Sequence, residues 1–234
     1  MSTKAIDLST PAPGVRRAAV LFSSTVGKKA VMAVTGVILF GFVVGHMLGN
    51  LQVYMGPEAL NGYAVLLRQA LHGGALWIAR AALLSAVGLH IWAATSLTLA
   101  SWAARPVGYR RWKAQESTYA SRTMVWSGPI LAVFIVYHLM HFTIGNVHPS
   151  FVEGDVYGNV IVGFRSWPVS AFYVLAQLAL GLHMYHGVWS MLQTVGLSHP
   201  RYNRWRTAFS ALVTSAVVLG NVSIPVAVLS GLVS

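Results

Sequence analysis

Two histidines, His183 and His186, stand one helical turn apart within residues 178–196, LALGLHMYHGVWSMLQTVG, a run long enough to cross a bilayer. Three further apolar runs each carry histidine at depth: His46, His90 and the pair His138/His141. Ionisable side chains inside a membrane are costly, so they mark function. Haem iron, commonly held by histidine, gives an imidazole a reason to be there. A lone histidine in a span is read equally well as polar packing. Four spans that each offer one match two bis-histidine haems, which together need four axial imidazoles.

Depth suggests a pairing. His46 is near one end of the first run and His138 lies in the same half of the third, so these two could clamp one haem. His90 and His183 lie nearer the middle of the second and fourth runs and could clamp another. His141 and His186 each follow a candidate by three residues and so share roughly its helix face. Either could be the ligand, with its neighbour supporting it from behind or bonded to a propionate. Arg80, a cation within an apolar run, could meet a haem propionate or snorkel to the surface. Ala179, Gly187 and Ser190 leave room beside His183, and Gly41, Gly45 and Gly49 form a small-residue ridge beside His46. His72, His148 and His199 fall in loops and are read as solvated or interfacial.

The elements that must position these residues follow from composition. The chain is 56% hydrophobic and 9% charged, far below the quarter expected of a soluble domain. Five stretches are long and apolar enough to span: about 30–50, 75–103, 124–146, 169–195 and 207–232. This predicts an all-α integral membrane protein, a five-transmembrane-helix bundle over residues 28–234 preceded by a polar segment at 1–27. Pro225 should kink or end the last helix. The net charge of +11 reads as topology rather than as a nucleic-acid surface. Thirteen of the sixteen Lys and Arg lie on one side, in the N-terminal segment, the second-to-third loop (Arg105, Arg110, Arg111, Lys113, Arg122) and the fourth-to-fifth loop (Arg201, Arg204, Arg206). The positive-inside rule then puts the N-terminus in the cytoplasm and the C-terminus outside. Residues 1–27 do not read as a secretory signal, because the run that follows is too long. Residues 51–74 contain a short amphipathic stretch, and residues 147–168 read as an irregular cap. Six tryptophans near run ends, from Trp77 to Trp205, suit an aromatic belt. With no cysteine, thiolate clusters and covalent c-type haem are excluded.

Several motifs resemble the single-chain, di-haem cytochrome b membrane anchor of succinate dehydrogenases and fumarate reductases. They are Ser24-x-x-Gly27-Lys28-Lys29 leading to Thr35-Gly36, His46-Met-Leu-Gly49-Asn50, Asn61-x-Tyr63 and His90-Ile-Trp. They continue with Ala104-Arg105-Pro106-x-Gly108-Tyr109, His138-Leu-x-x-Phe142 and His183-x-x-His186-Gly187-x-x-Ser190-x-x-Gln193-Thr194-x-Gly196. The resemblance implies that His46 and His138 ligate an outer haem b, and His90 and His183 an inner one. His141 departs from the family's pattern, where an acid or amide is common. The resemblance also implies partners on the cytoplasmic face of the inner membrane: a flavoprotein subunit with FAD and an iron–sulfur subunit. Electrons would pass from succinate through the haems to a quinone, often menaquinone, within the lipid.

Quinone reduction takes up protons, so an acid or histidine near the outer haem is wanted. Glu58 is the one acid of the first outer loop and is the candidate; a solvated carboxylate is the plainer reading. A pocket on the other side, near Ser24, Lys28 or Gln193, fits the same chemistry. Two alternatives remain: the cytochrome b subunit of another quinone-linked dehydrogenase, and a transporter using a histidine relay. The second is disfavoured because all five acids (Asp7, Glu58, Glu116, Glu153, Asp155) fall in polar segments.

Overall fold

The structure, a computed structural model, describes residues 22–104 and 119–234. The expectations for the N-terminal segment up to residue 21, for Arg105, Arg110, Arg111 and Lys113, and for the motif after Ala104 lie outside the described residues.

Helix α1 (Thr25–Asn50) starts at Ser24, whose Oγ accepts the Gly27 amide at 3.0 Å. That bond satisfies one of the amides a helix start leaves without a partner, which accounts for the Ser24-x-x-Gly27 spacing. A 3₁₀ turn (Leu51–Met55) leads to α2 (Pro57–Gln69), which opens on proline, where the missing N–H costs nothing. α3 (Gly74–Ala103) is followed by α4 (Tyr119–Leu139), which continues as a π-helical turn over Met140–Ile144. α5 (Val156–Arg165), α6 (Trp167–Thr194) and α7 (Pro200–Leu229) complete the chain. The protein is an all-helical membrane bundle, and the five spans within it are long and apolar enough to cross a bilayer.

Three expectations change. The stretch 147–168 contains α5, capped by the Asp155 carboxylate on the Gly158 amide. Gly158 and Gly163 weaken its local helix signal, and contacts with α2, α6 and α7 supply what propensity does not. α7 starts at Pro200, so Arg201, Arg204 and Arg206 belong to its first two turns rather than to a loop. Pro225 does not end α7, which runs on to Leu229. Its ring removes a single backbone bond in a wall that is otherwise packed.

α6 is the centre of the bundle and touches α1, α4 and α7, while α3 leans on α1. The end of the bundle where α1 stops and α6 starts also carries α2 and α5, and is called the capped end here. Its core is Val53, Leu60, Ile161, Phe164, Tyr173, Ile224 and Val228. Asn61 ties the two short helices together: its Nδ2 donates to Asp155 Oδ1 at 3.0 Å and its Oδ1 accepts the Tyr157 amide at 2.9 Å. The Gly158 amide, then Asn61, hold the Asp155 carboxyl below the usual carboxylate range. Gly49 is required for a close approach, because a Cβ there would stand 2.6 Å from the Tyr63 ring. Gly41 and Gly45 of the same ridge meet nothing within 4 Å.

Candidate functional site

Four of the spans bring four histidines together as two pairs. At the capped end, His46 near the close of α1 and His138 near the close of α4 face each other, ring centres 5.8 Å apart and planes at 84°. Deeper in the bundle, His90 of α3 and His183 of α6 stand 6.2 Å apart with planes at 59°. The second pair lies ten to twelve residues further from the capped end, about 15–18 Å along the axis.

The hydroxyls beside these rings fix their orientation. Thr35 Oγ1 lies 2.7 Å from the Val31 carbonyl and 3.2 Å from that of Met32. Carbonyls only accept, so the Thr35 proton points back into its own helix. Its oxygen therefore accepts from His90 Nδ1 at 3.1 Å, which leaves Nε2 of His90 as a free lone pair. Ser127, buried on α4, lies 3.3 Å from His183 Nδ1. Tyr173 of α6 stands between two histidines, 3.4 Å from His138 Nδ1 and 3.0 Å from His141 Nδ1. His46 is stacked on Phe42 at 5.2 Å. In each of the three bonded rings the hydrogen bond is made by Nδ1, so Nε2 is the nitrogen free to bind.

The remaining candidates fall elsewhere. His141 reaches the same Tyr173 hydroxyl as His138, but among the described residues no histidine of another span faces it as His46 faces His138. It is fully buried against Phe142, Tyr173 and His148, with Gly163 so close that a Cβ there would stand 2.9 Å from its ring. His186 stacks on Trp189 at 6.5 Å. Arg80 lies over Trp77 at 5.0 Å, toward the start of α3. Glu58 is exposed in the first turn of α2. His72 and His199 are exposed as expected, but His148 is buried. Its Nδ1 accepts the Ser150 amide at 3.1 Å and its Nε2 donates to the Asn159 carbonyl at 2.9 Å, so burial leaves it satisfied. Sequence reasoning assigned no role to Tyr173 or Ser127, and cited Thr35 only within a motif.

Among the described residues no group of three or more metal-ligating side chains forms. The pairs suit a centre that takes two protein ligands on opposite faces. Imidazole nitrogens bind metals at about 2.0–2.1 Å, so two rings on one iron have centres roughly 6.3 Å apart. The observed 6.2 Å is at that spacing, and 5.8 Å is about half an ångström inside it. Gly187, one turn beyond His183 on the same face, has nothing within 4 Å where a side chain would project.

A family model described as succinate dehydrogenase/fumarate reductase transmembrane subunit matches residues 103–222, just over half of the chain. No curated protein and no solved structure matches.

Proposed function

This chain belongs to the succinate dehydrogenase/fumarate reductase transmembrane subunits, and from that premise we propose that it is a cytochrome b anchor with two bis-histidine b haems. It associates with the other subunits of such a complex and with the membrane. The observation that carries the haem reading is the pairing of histidines from four separate spans at ring spacings of 5.8 and 6.2 Å.

In this reading His46 and His138 hold the haem at the capped end, and His90 and His183 hold the other. Haem supplies one-electron carriage, with a potential set by its axial ligands, their hydrogen bonds and burial. The chain's own residues do the rest. Thr35 accepts the Nδ1 proton of His90 and so aims Nε2 into the bundle. With His138 binding through Nε2, its Nδ1–H donates to Tyr173, and the Tyr173 hydroxyl donates onward to His141 Nδ1. His141 and His186 support the site rather than ligate. Arg80 snorkels along Trp77 toward the capped end.

The excess of basic residues on one side supports, by the positive-inside rule, a cytoplasmic location for that face, and in this reading a flavoprotein subunit with FAD and an iron–sulfur subunit dock there. The capped end is then the outer end, and the membrane is the cytoplasmic one. Electrons from the iron–sulfur subunit reach the His90/His183 side first and the His46/His138 side second. A membrane quinone, menaquinone in this proposal, is reduced at the outer end, and Glu58, an exposed carboxylate in the first turn of α2, is the candidate to deliver its proton.

A pyridine haemochrome assay of the purified complex, ratioed to this chain, tests the reading. Two b haems per chain are expected. None, in folded protein with its partners bound, overturns the electron-carrying function.

A further inference from the structure

At the end of the bundle opposite the cap, Arg206 is 1% exposed although it sits in the second turn of α7. Its guanidinium lies over the Trp189 ring at 4.4 Å. Nη1 donates to the Leu197 carbonyl at 3.3 Å and to Asn203 Oδ1 at 3.1 Å. Nε and Nη2 are buried with no partner. Those two N–H groups form one edge of the fork, parallel donors spaced to meet both oxygens of a carboxylate or phosphate. One turn deeper on the same face, Ser210 Oγ is also buried without a partner.

A buried cation that lacks a counter-charge is strongly unfavourable. The described carboxylates do not supply one: Glu58, Glu153 and Asp155 belong to the capped end, while Arg206 is 23 residues of helix, about 35 Å, from the end of α7. We propose that the Nε/Nη2 edge of Arg206 is a buried binding site for an oxyanion that is not part of this chain. Two sources share that chemistry. One is a propionate of the haem between His90 and His183, because Trp189 under Arg206 stacks on His186, one turn from His183. The other is the phosphate of a phospholipid at the membrane surface. The site itself stands without the haem reading, and the first source rests on it.

The test uses the whole purified complex, with Arg206→Gln and Arg206→Lys beside the parent. Haem midpoint potentials are read by optical redox titration, and retained phospholipid by native mass spectrometry after detergent exchange. If a propionate is bound, Arg206→Gln lowers the potential of one haem, because a positive charge that favours the reduced state is gone, and leaves the other unchanged. If a phosphate is bound, both potentials hold and retained phospholipid falls by one per complex. Arg206→Lys keeps the charge but not the fork, so it gives the same change in smaller degree and reports even if the glutamine variant fails to assemble. Unchanged potentials and unchanged phospholipid in an assembled variant overturn the proposal. So does Glu116→Gln reproducing the Arg206→Gln result, because the anion would then be the chain's own. A parent complex without haem sinks the haem reading alone and leaves the phosphate arm to decide.

Discussion

The two histidine pairs are built in different ways. The His46/His138 pair lies in the half of the bundle closed by α2 and α5, among Phe42, Phe134, Phe142 and Tyr173. His138 is hydrogen-bonded to a tyrosine that also serves His141. The His90/His183 pair is held by small hydroxyls on neighbouring spans, Thr35 and Ser127, and the buried residues of α3 are two alanines. The first pair thus depends on a network assembled from sequence-distant segments. The second depends on the spacing of helices. A ligand aimed by a shared network should respond to changes several residues away, and one aimed by a single hydroxyl should respond to that hydroxyl alone.

Under the two-haem proposal, the largest effect belongs to the four histidines it assigns as ligands. His183→Ala should remove one haem and leave the other, halving the haem-to-chain ratio, and His46→Ala should do the same for the other haem. Spectra at low temperature distinguish which survives. Retention of both haems in His183→Ala would move the assignment to His186.

Tyr173→Phe separates the two constructions. It removes the acceptor for His138 Nδ1–H and the donor for His141 in one step, while the ring stays in the capped core. Loss of such a supporting partner typically weakens metal affinity by about 10–100-fold. The haem of the capped end should bind more weakly and its potential should rise, because an unshared Nδ1 proton makes the imidazole a poorer donor to ferric iron. If that haem is held as proposed, ring planes 84° apart predict a highly anisotropic ferric resonance, which should shift as His138 gains freedom to turn. A shift in both haems would show that the pairs are not independent.

Thr35→Val is the milder counterpart. The shape is kept, and the bond from His90 is lost together with the hydroxyl's own bond into α1, each worth about 0.5–1.5 kcal/mol. The potential of the His90/His183 haem should rise modestly, the capped haem should stay put, and Thr35→Ser should restore the parent value. An effect as large as that of Tyr173→Phe would contradict the contrast between network and single hydroxyl.

What the sequence made legible follows the same division. Hydropathy is a one-dimensional property, so all five spans were readable to within a few residues at most ends. Facing is not one-dimensional. His138 and His141 share a face in a regular helix, and what sets His141 apart, its full burial against Phe142, Tyr173, His148 and Gly163, is assembled from other segments. Tyr173 and Ser127 are ordinary residues of a span until another helix brings a ring to them. α5 was hidden by its glycines, and its one local signal, Asp155 capping Gly158, is short. His148 looked solvated because burial of a loop histidine depends on Asn159 and Ser150 arriving beside it. Arg206 was legible as one of the basic residues of its side, yet its burial could not be inferred, because it depends on Trp189 of the preceding helix.

The smallest effect tests whether the cap is tuned by charge. Asp155 caps α5 through Gly158 and accepts from Asn61, and these bonds hold its carboxyl below the ordinary value of 3.8. A depressed folded value means the ionised form is favoured by folding. Its contribution is therefore complete above about pH 4 and is lost as pH falls through the folded value. Asp155→Asn keeps a side-chain oxygen able to cap, since asparagine and aspartate cap about equally well, so it isolates the charge. Hydrogen exchange at the Gly158 and Asn159 amides reads the first turn of α5 locally. Comparing parent and variant at each pH cancels the intrinsic dependence of exchange. Protection in the parent should exceed that in the variant above pH 4, and the two should converge below it. The side chain is partly exposed, so screening keeps the difference small. Parallel curves at all pH would leave the cap resting on geometry alone, and the capped pair would then owe its setting to packing and Tyr173.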